Sequence, residues 1–401
     1  MSAFGAFRHR SYRWYFSGFL ISLIGVWMQR VAQSWLVLEL TDSAFWVGAV
    51  DAMAAAPMLV FTLYAGTLAD RLPKRRLVII TQSIAAVAAL VLAAITLGST
   101  VRLWHVVTVA VVVGTSNAFG LPARQAFITQ MVGRKDLTSA IALNSSAFNA
   151  SRLIGPGIAG IVVATVGVGA CFLANGVSYL AIIVALIAIR SSDLMEEALT
   201  TQTAGRAMRE GFDYVWHTPH ARLLITNIAV FSVFTLPMMV LMPVIARDVL
   251  GGGAVEYGWL MSVVGVGAII GALIIAAVGH HIHRGKVLSA ATVGVAVATI
   301  VLSRQATLTG TMLVLAMFGF AMIIMTALTN TLLQTLAPDE LRGRVISFYA
   351  FAFLGLSPIG ALQVGIVAER FGPMVAIGSG GVVMLLSAVR TALSPVLRQT
   401  R

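Results

Sequence analysis

The chain is a succession of apolar runs, each about twenty residues or longer, separated by short polar turns. That run length limits what it can become, because a helix needs about 20 predominantly apolar residues to cross the hydrocarbon layer of a bilayer. Spans are predicted at residues 14–38, 44–67, 77–97, 104–128, 138–164, 168–189, 222–246, 257–279, 287–304, 308–333, 343–369 and 374–396. The runs are continuous rather than alternating, so a transmembrane β-barrel is excluded. A hydrophobic share of 59% with only 10% charged residues lies far from the roughly 45–50% and 25% of soluble domains. The expectation is an all-α integral membrane protein with twelve transmembrane helices.

Twelve spans put both termini on one side of the membrane, and the basic residues choose the side. Of 27 Lys and Arg, only Arg102, Arg247, Arg304 and Arg370 fall in the odd-numbered turns. Arg30, Arg152 and Arg390 lie inside spans or near their ends, and the others occupy the termini and even-numbered turns. The positive-inside bias therefore makes both termini cytoplasmic. The net charge of +12 is explained by this sidedness, and no nucleic-acid partner is expected. The opening MSAFGAFRHRSYRWYFSGF runs into a full-length span without a small-residue cleavage site, and is read as a retained first helix. The single Cys171 rules out an internal disulfide framework.

The longest non-apolar stretch bisects the chain. It divides an N-terminal six-helix half, 1–190, from a C-terminal one, 222–401, through a linker, 191–221. Met208, Phe212, Val215 and Trp216 recur at helical spacing in that linker, which predicts an amphipathic helix on the cytoplasmic surface. The halves look duplicated: Gln130, Asp136 and Leu137 recur as Gln334, Glu340 and Leu341, an offset of 204. Two pseudo-symmetric halves of this kind are the pattern of a two-repeat transporter.

Among the acids, Asp51 alone falls deep within a span. An ionised carboxylate in hydrocarbon costs several kcal/mol, so it is a functional candidate. Arg30 and Arg152 reach comparable depth from the first and fifth spans, and these three are the candidate proton-coupling group. A structural ion pair is the competing reading. Gln29, Gln33, Asn117, Asn149, Asn227 and Asn330, with Phe234 and Met238, are candidates to line an amphiphilic cavity. No nucleotide-binding loop or catalytic constellation is present, so neither an enzyme nor a cofactor is expected. His280, His281 and His283 in a basic turn without a nearby acid are read as a solvated loop, and no metal site is assigned.

Between the second and third spans the chain reads GTLADRLPKRR, Gly66 to Arg76. Gly66 permits close helix approach, Asp70 can accept from a helix N-terminus, and Arg71, Lys74, Arg75 and Arg76 can anchor the turn among anionic headgroups. The run resembles the signature of the major facilitator superfamily, Gly-x-x-x-Asp-Arg-x-Gly-Arg-Arg/Lys, keeping Gly66, Asp70, Arg71, Lys74 and Arg75 and departing at Pro73. The resemblance implies a cytoplasmic latch in which Asp70 meets the start of the eleventh span and Arg124. In the fifth span Gly155, Pro156, Gly157 and Gly160 form a kinkable, closely packing segment, similar to an exporter-associated motif of that superfamily. WMQRVAQSWLVLELTDS in the first span and LPARQAF in the fourth resemble its siderophore-exporter and macrolide-efflux branch.

What the resemblance implies is proton-coupled efflux of amphiphilic small molecules from a bacterial inner membrane by alternating access, the chain acting as a monomer. Uptake of a small anionic nutrient through Arg30 and Arg152, and a non-transporting sensor on the same fold, remain open at this point.

Overall fold

Inside a bilayer each backbone N–H and C=O must be satisfied within the chain, which helices achieve one segment at a time. The computed structural model describes residues 4–195, 204–278 and 282–394, with the side chains of 62, 63, 66–71, 191 and 204–210 outside the described set. No strand occurs among the described residues. The helices are α1 Arg10–Thr41, α2 Ala44–Arg71, α3 Lys74–Leu97, α4 Leu103–Thr165, α5 Val168–Ala188, α6 Ala204–His217, α7 Pro219–Val249, α8 Ala254–Val278, α9 Arg284–Leu302, α10 Leu308–Leu336, α11 Arg342–Phe371 and α12 Pro373–Leu393.

All but α6 are long and apolar enough to cross a membrane. At 63 residues, α4 would measure about 95 Å if straight, three times the hydrocarbon thickness. It holds two spans that meet at Gly133, whose φ of 67° and ψ of 174° break the helix. The predicted fourth and fifth spans therefore join through one residue, with the polar stretch on either side of it helical. Glycine is favoured there because the φ is left-handed; a Cβ would lie 2.6 Å from Met195 Sδ, the end of a flexible side chain that can move aside. Ahead of α1, the 3-10 turn Gly5–Arg8 docks on the second part of α4. Ala6 N donates to Ser139 Oγ at 3.2 Å, and His9 pairs with Asp136 at 2.9 Å.

The chain packs as two compact units. The first comprises Met1–Asp42, Met53–Thr200 and Gly252–Ser262; the second comprises Ser43–Ala52, Thr201–Gly251 and Val263–Arg401. Each thus takes in the opening residues of a helix from the other half of the sequence. Tyr12, Tyr15, Phe19, Phe127, Met131 and Tyr179 are central to the first unit's core. In the second, Phe318, Phe231, Phe353 and Tyr349 stack in a row with centroid separations of 6.4, 6.3 and 6.0 Å.

Small residues set the helix crossings, as expected where lipid supplies no hydrophobic drive between helices. In the first unit Gly114 lies against α2, a Cβ there falling 2.0 Å from Ala54 O; in the second, Gly319 lies against α8, 2.1 Å from Val264 O. The crossing of Gly176 on Leu90 is rebuilt as Gly381 on Ile300. Matching glycines are 205 residues apart (Gly114 to Gly319, Gly176 to Gly381). Their partners on the second and third spans of each half are 210 apart (Ala54 to Val264, Leu90 to Ile300). Part of the difference is visible directly, since α3 has 24 residues and α9 has 19. The packing offset is one more than the 204 read from the turn after the fourth span: Gln130 and Gln334 share a residue type while standing one step out of register.

Candidate functional site

In the first unit, α1 and the second part of α4 run side by side. Near the start of α1 the Tyr12 hydroxyl lies 3.1 Å from both Ala140 O and Asn144 Oδ1. Fifteen residues further along α1, Gly155 brings the α4 backbone against the Trp27 Cβ and the Ile24 carbonyl, where an added Cβ would stand 2.6 and 3.1 Å away. This approach allows Phe148, seven residues or nearly two turns earlier on α4, to set its ring edge-on to Trp27 with centroids 5.7 Å apart. The Arg30 guanidinium lies 5.7 Å from the Trp27 ring centroid. Arg152, one turn after Phe148, has Arg30 as a charged neighbour.

Two cations, an indole and a phenyl ring are thereby gathered at similar depth. Counted from the helix ends at Thr41 and Thr165, Arg30 is about 16 Å along α1 and Arg152 about 20 Å along α4. Asp51, the intramembrane acid, lies about 10 Å into α2, in the stretch that packs with the second unit. Arg30, Asp51 and Arg152 each have an interaction partner.

On the opposite side of α1, Gln29 Oε1 accepts from Asn175 Nδ2 at 2.6 Å. Gly25 leaves room for Asn175 and Ser178 beside it. Gln29 is therefore committed to α5 and buried. Met238 is also buried within its unit, as is Asn227, whose Oδ1 accepts from Ser387 Oγ at 2.8 Å. A cargo cannot touch these three without displacing packed helices. Gln33, Asn149, Phe234 and Asn330 are half-buried, and Asn117 is exposed. Asn149 bonds back to Ser145 O at 2.9 Å, and Asn330 accepts from Gln334. Asn175 and Phe148 were not singled out by sequence reasoning. The only cue to Asn175 was an amide in an otherwise apolar span.

The second unit departs from regular helix where prolines remove backbone donors. α7 passes through a π turn at Phe231–Thr235, a 3-10 stretch at Leu236–Leu241 and a second π turn at Ile245–Val249, with Pro237 and Pro243 in or between them. α11 carries a π turn at Phe351–Gly355, followed by Pro358. The two irregular segments meet. Ser232 Oγ donates to Phe353 O at 2.8 Å, and Gly360 lies against the Ser232 and Val233 carbonyls and the Pro237 ring. Such π turns are frequent at functional positions of membrane and soluble helices.

Within Gly66 to Arg76, the side chains of Asp70 and Arg71 and the surroundings of Gly66 lie outside the described set. Pro73 is the N-cap of α3. Lys74 is buried and has a partner. Arg75 donates from Nε to Leu186 O at 2.8 Å and from a terminal nitrogen to Ile187 O at 2.9 Å, closing the C-terminus of α5 where carbonyls lack helical partners. The Arg124 guanidinium lies 5.1 Å from the Phe19 ring centroid, among the tyrosines Tyr15 and Tyr179.

The segment from Gly155 to Gly160 serves two interfaces on successive faces of one helix. Gly155 meets α1, while Gly160 meets the opening of α8, where a Cβ would lie 2.6 Å from Ala254 O and 3.2 Å from Gly258 Cα. The second repeat rebuilds the latter contact: Gly365 of α11 faces the Ala44 and Phe45 carbonyls and Gly48 of α2. In this second instance Glu369, one turn beyond Gly365, caps α2 by accepting from Ser43 Oγ at 3.0 Å and from Phe45 N at 3.1 Å. Among the described residues no three His, Cys, Asp or Glu are grouped as metal ligands. His280 and His281 lie outside the described residues, and His283 is the N-cap of α9.

Comparison with known proteins agrees with this architecture along the whole chain. The transmembrane secretion effector family model matches residues 1–400. The chain is 27% identical over 377 residues to the multidrug efflux pump Tap of Mycolicibacterium fortuitum, covering 92% of each chain. It is 25% identical over 366 residues to the staphyloferrin A transporter of Staphylococcus aureus, covering 90% of each. Its fold is similar to the crystal structure of a POT family transporter in complex with 5-aminolevulinic acid, with a TM-score of 0.78 at 10% identity and 97% of each chain covered. With a repeated six-span plan, glycine-set crossings and a family match from end to end, the chain belongs to the transmembrane secretion effector family of major facilitator transporters.

Proposed function

We propose that the protein is a secondary active transporter that exports amphiphilic small molecules, drug-like or siderophore-like, in exchange for protons. It would work as a monomer in a bacterial inner membrane with both termini cytoplasmic. The halves 1–190 and 222–401 rock about a central site, joined by the linker 191–221. The observation that carries this reading is the cluster at the α1–α4 seam: Arg30, Trp27, Phe148 and Arg152 at mid-span depth, in a chain alignable along nine-tenths of its length with drug and siderophore transporters.

Asp51 is the proton carrier in this scheme, and Arg30 and Arg152 set its charge balance. Intramembrane ionisable groups at such depth mark ion and substrate pathways. Gly66, Asp70, Arg71, Lys74, Arg75 and Arg124 act as the cytoplasmic gate, and Gln33, Asn117, Asn149, Phe234 and Asn330 contribute to the cargo surface.

The test is transport in inverted membrane vesicles with an acidic lumen, using ethidium as the probe. The expected result is ethidium accumulation driven by the pH gradient. Asp51→Asn should abolish this while leaving gradient-independent ethidium exchange intact. Equal gradient-driven accumulation by parent and variant would refute the coupling role of Asp51, and failure of the pH gradient to drive any amphiphile would refute antiport.

A further inference from the structure

The helix α6 carries none of the residues proposed for transport, yet its surroundings are specific. One residue, Thr218, separates its end at His217 from Pro219, where the membrane-spanning α7 begins. Its C-terminal end is therefore fixed to the start of α7. Its inner face is occupied by protein. Gly211 sits against α11, a Cβ there falling 2.9 Å from Arg344 Cβ and 3.1 Å from Phe348 Cε2, and Val215 is buried. The Tyr214 hydroxyl donates to Leu336 O, the end of α10, at 3.2 Å. Burial raises the Tyr214 pKa above its ordinary value.

The remaining face carries Phe212 and Trp216, 51% and 56% exposed. Their rings are stacked at 5.9 Å and 12°. Two exposed aromatic rings one helical turn apart are costly in water and are the side chains best suited to a membrane–water boundary. The patch is continuous with membrane-crossing surface: Phe212 contacts Phe348 of α11 at 6.2 Å, and Phe351, a turn further along that helix, is 53% exposed. A cation borders it: Arg222 is exposed and donates to the Trp216 carbonyl at 3.4 Å. In the sequence Arg206 and Arg209 precede Phe212 by six and three residues.

We infer that the Phe212–Trp216 face of α6 is a lipid-binding surface, seated in the cytoplasmic leaflet with its rings at the acyl boundary and with Arg222 and the arginines of the α6 sequence on anionic headgroups. Apolar area plus basic charge is the combination that binds an interfacial helix to anionic lipid. Because the same helix grips the end of α10 and the start of α11, lipid on this face holds the cytoplasmic end of the second unit. Transport then responds to the anionic lipid content of the membrane, whatever the cargo.

The full chain in nanodiscs tests this. Trp216 fluorescence is obtained as the difference between parent and Trp216→Phe, a change that retains an aromatic ring. In discs of phosphatidylcholine with 30% phosphatidylglycerol, dibrominated lipid should quench the Trp216 component at least twofold more than aqueous iodide does. Raising phosphatidylglycerol from zero to 30% should raise the Tm of the parent, and Arg206→Gln, Arg209→Gln and Arg222→Gln together should remove most of that rise. Quenching by iodide rather than brominated lipid would place the rings in water and overturn the proposal. Shielding from both quenchers that appears only at high protein density would assign the face to a second copy. An equal Tm rise in the triple variant would overturn the anionic component.

Discussion

Gly160→Ala adds one methyl group where α4 meets the opening of α8. In the present structure that carbon would stand 2.6 Å from Ala254 O, 3.1 Å from Val255 Cα and 3.2 Å from Gly258 Cα. Ordinary contact begins at 3.4 Å, so it is 0.8 Å too close to a backbone carbonyl. No side-chain rotation relieves that, and the two helices must part. Overpacking of this kind costs about 1–3 kcal/mol, which reduces the population of the closed seam by roughly five- to 150-fold.

The seam can be read directly. Gly157 lies three residues earlier, and a Cβ there would come 3.1 Å from Ser262 Oγ, so Gly157→Cys with Ser262→Cys forms a reporter pair in a background where the buried Cys171 is replaced by Ala. Oxidative cross-linking in membranes should slow five- to 150-fold when Gly160→Ala is added, with a Tm lowered by a few degrees. Gly343→Ala is the matched control, since nothing lies within 4 Å of its added carbon. Unchanged cross-linking and Tm in the Gly160→Ala protein would refute the claim that glycine at this crossing holds the helices together.

Three further outcomes follow from the geometry. Asn175→Leu strands the buried Gln29 amide and should cost about 1–3 kcal/mol, while Gln29→Leu with Asn175→Leu should recover most of it, read as denaturation midpoints in detergent. Arg75→Ala removes both donors from the α5 terminus and should destabilise by about 1–2 kcal/mol; Arg75→Lys, a single cation without the fork, should recover only part, and full recovery would deny the two-carbonyl clasp. Glu369→Ala should speed amide exchange at Phe45 about fivefold, the effect of losing a cap worth about 1 kcal/mol; Glu369→Gln, which keeps an acceptor, should fall between it and the parent.

Much of this protein follows from one-dimensional patterning. Run length decides helix against strand because lipid offers no alternative partner to the backbone, so twelve spans could be counted without coordinates. The amphipathic stretch around Phe212 and Trp216 was visible because helical spacing of apolar residues does not depend on what they touch. Gly155 to Gly160 was visible as a packing segment, although not as the joint of two different interfaces.

Other features depended on the third dimension. The prediction placed a turn between the fourth and fifth spans, whereas one glycine suffices, since the backbone can reverse its geometry at a left-handed φ. Gln29 and Asn227 read as cavity amides because sequence gives a polar residue on a helix but not the face it presents. Their partners, Asn175 and Ser387, are 146 and 160 residues away. Glu369 read as an ordinary acid at a span end, and only the crossing of α11 with α2 makes it the cap of another helix. Local periodicity and length are properties of neighbouring residues and survive in the sequence; hydrogen bonds between helices are set by rotation and crossing, which glycines at positions such as 114, 160, 319 and 365 decide only once the helices are packed.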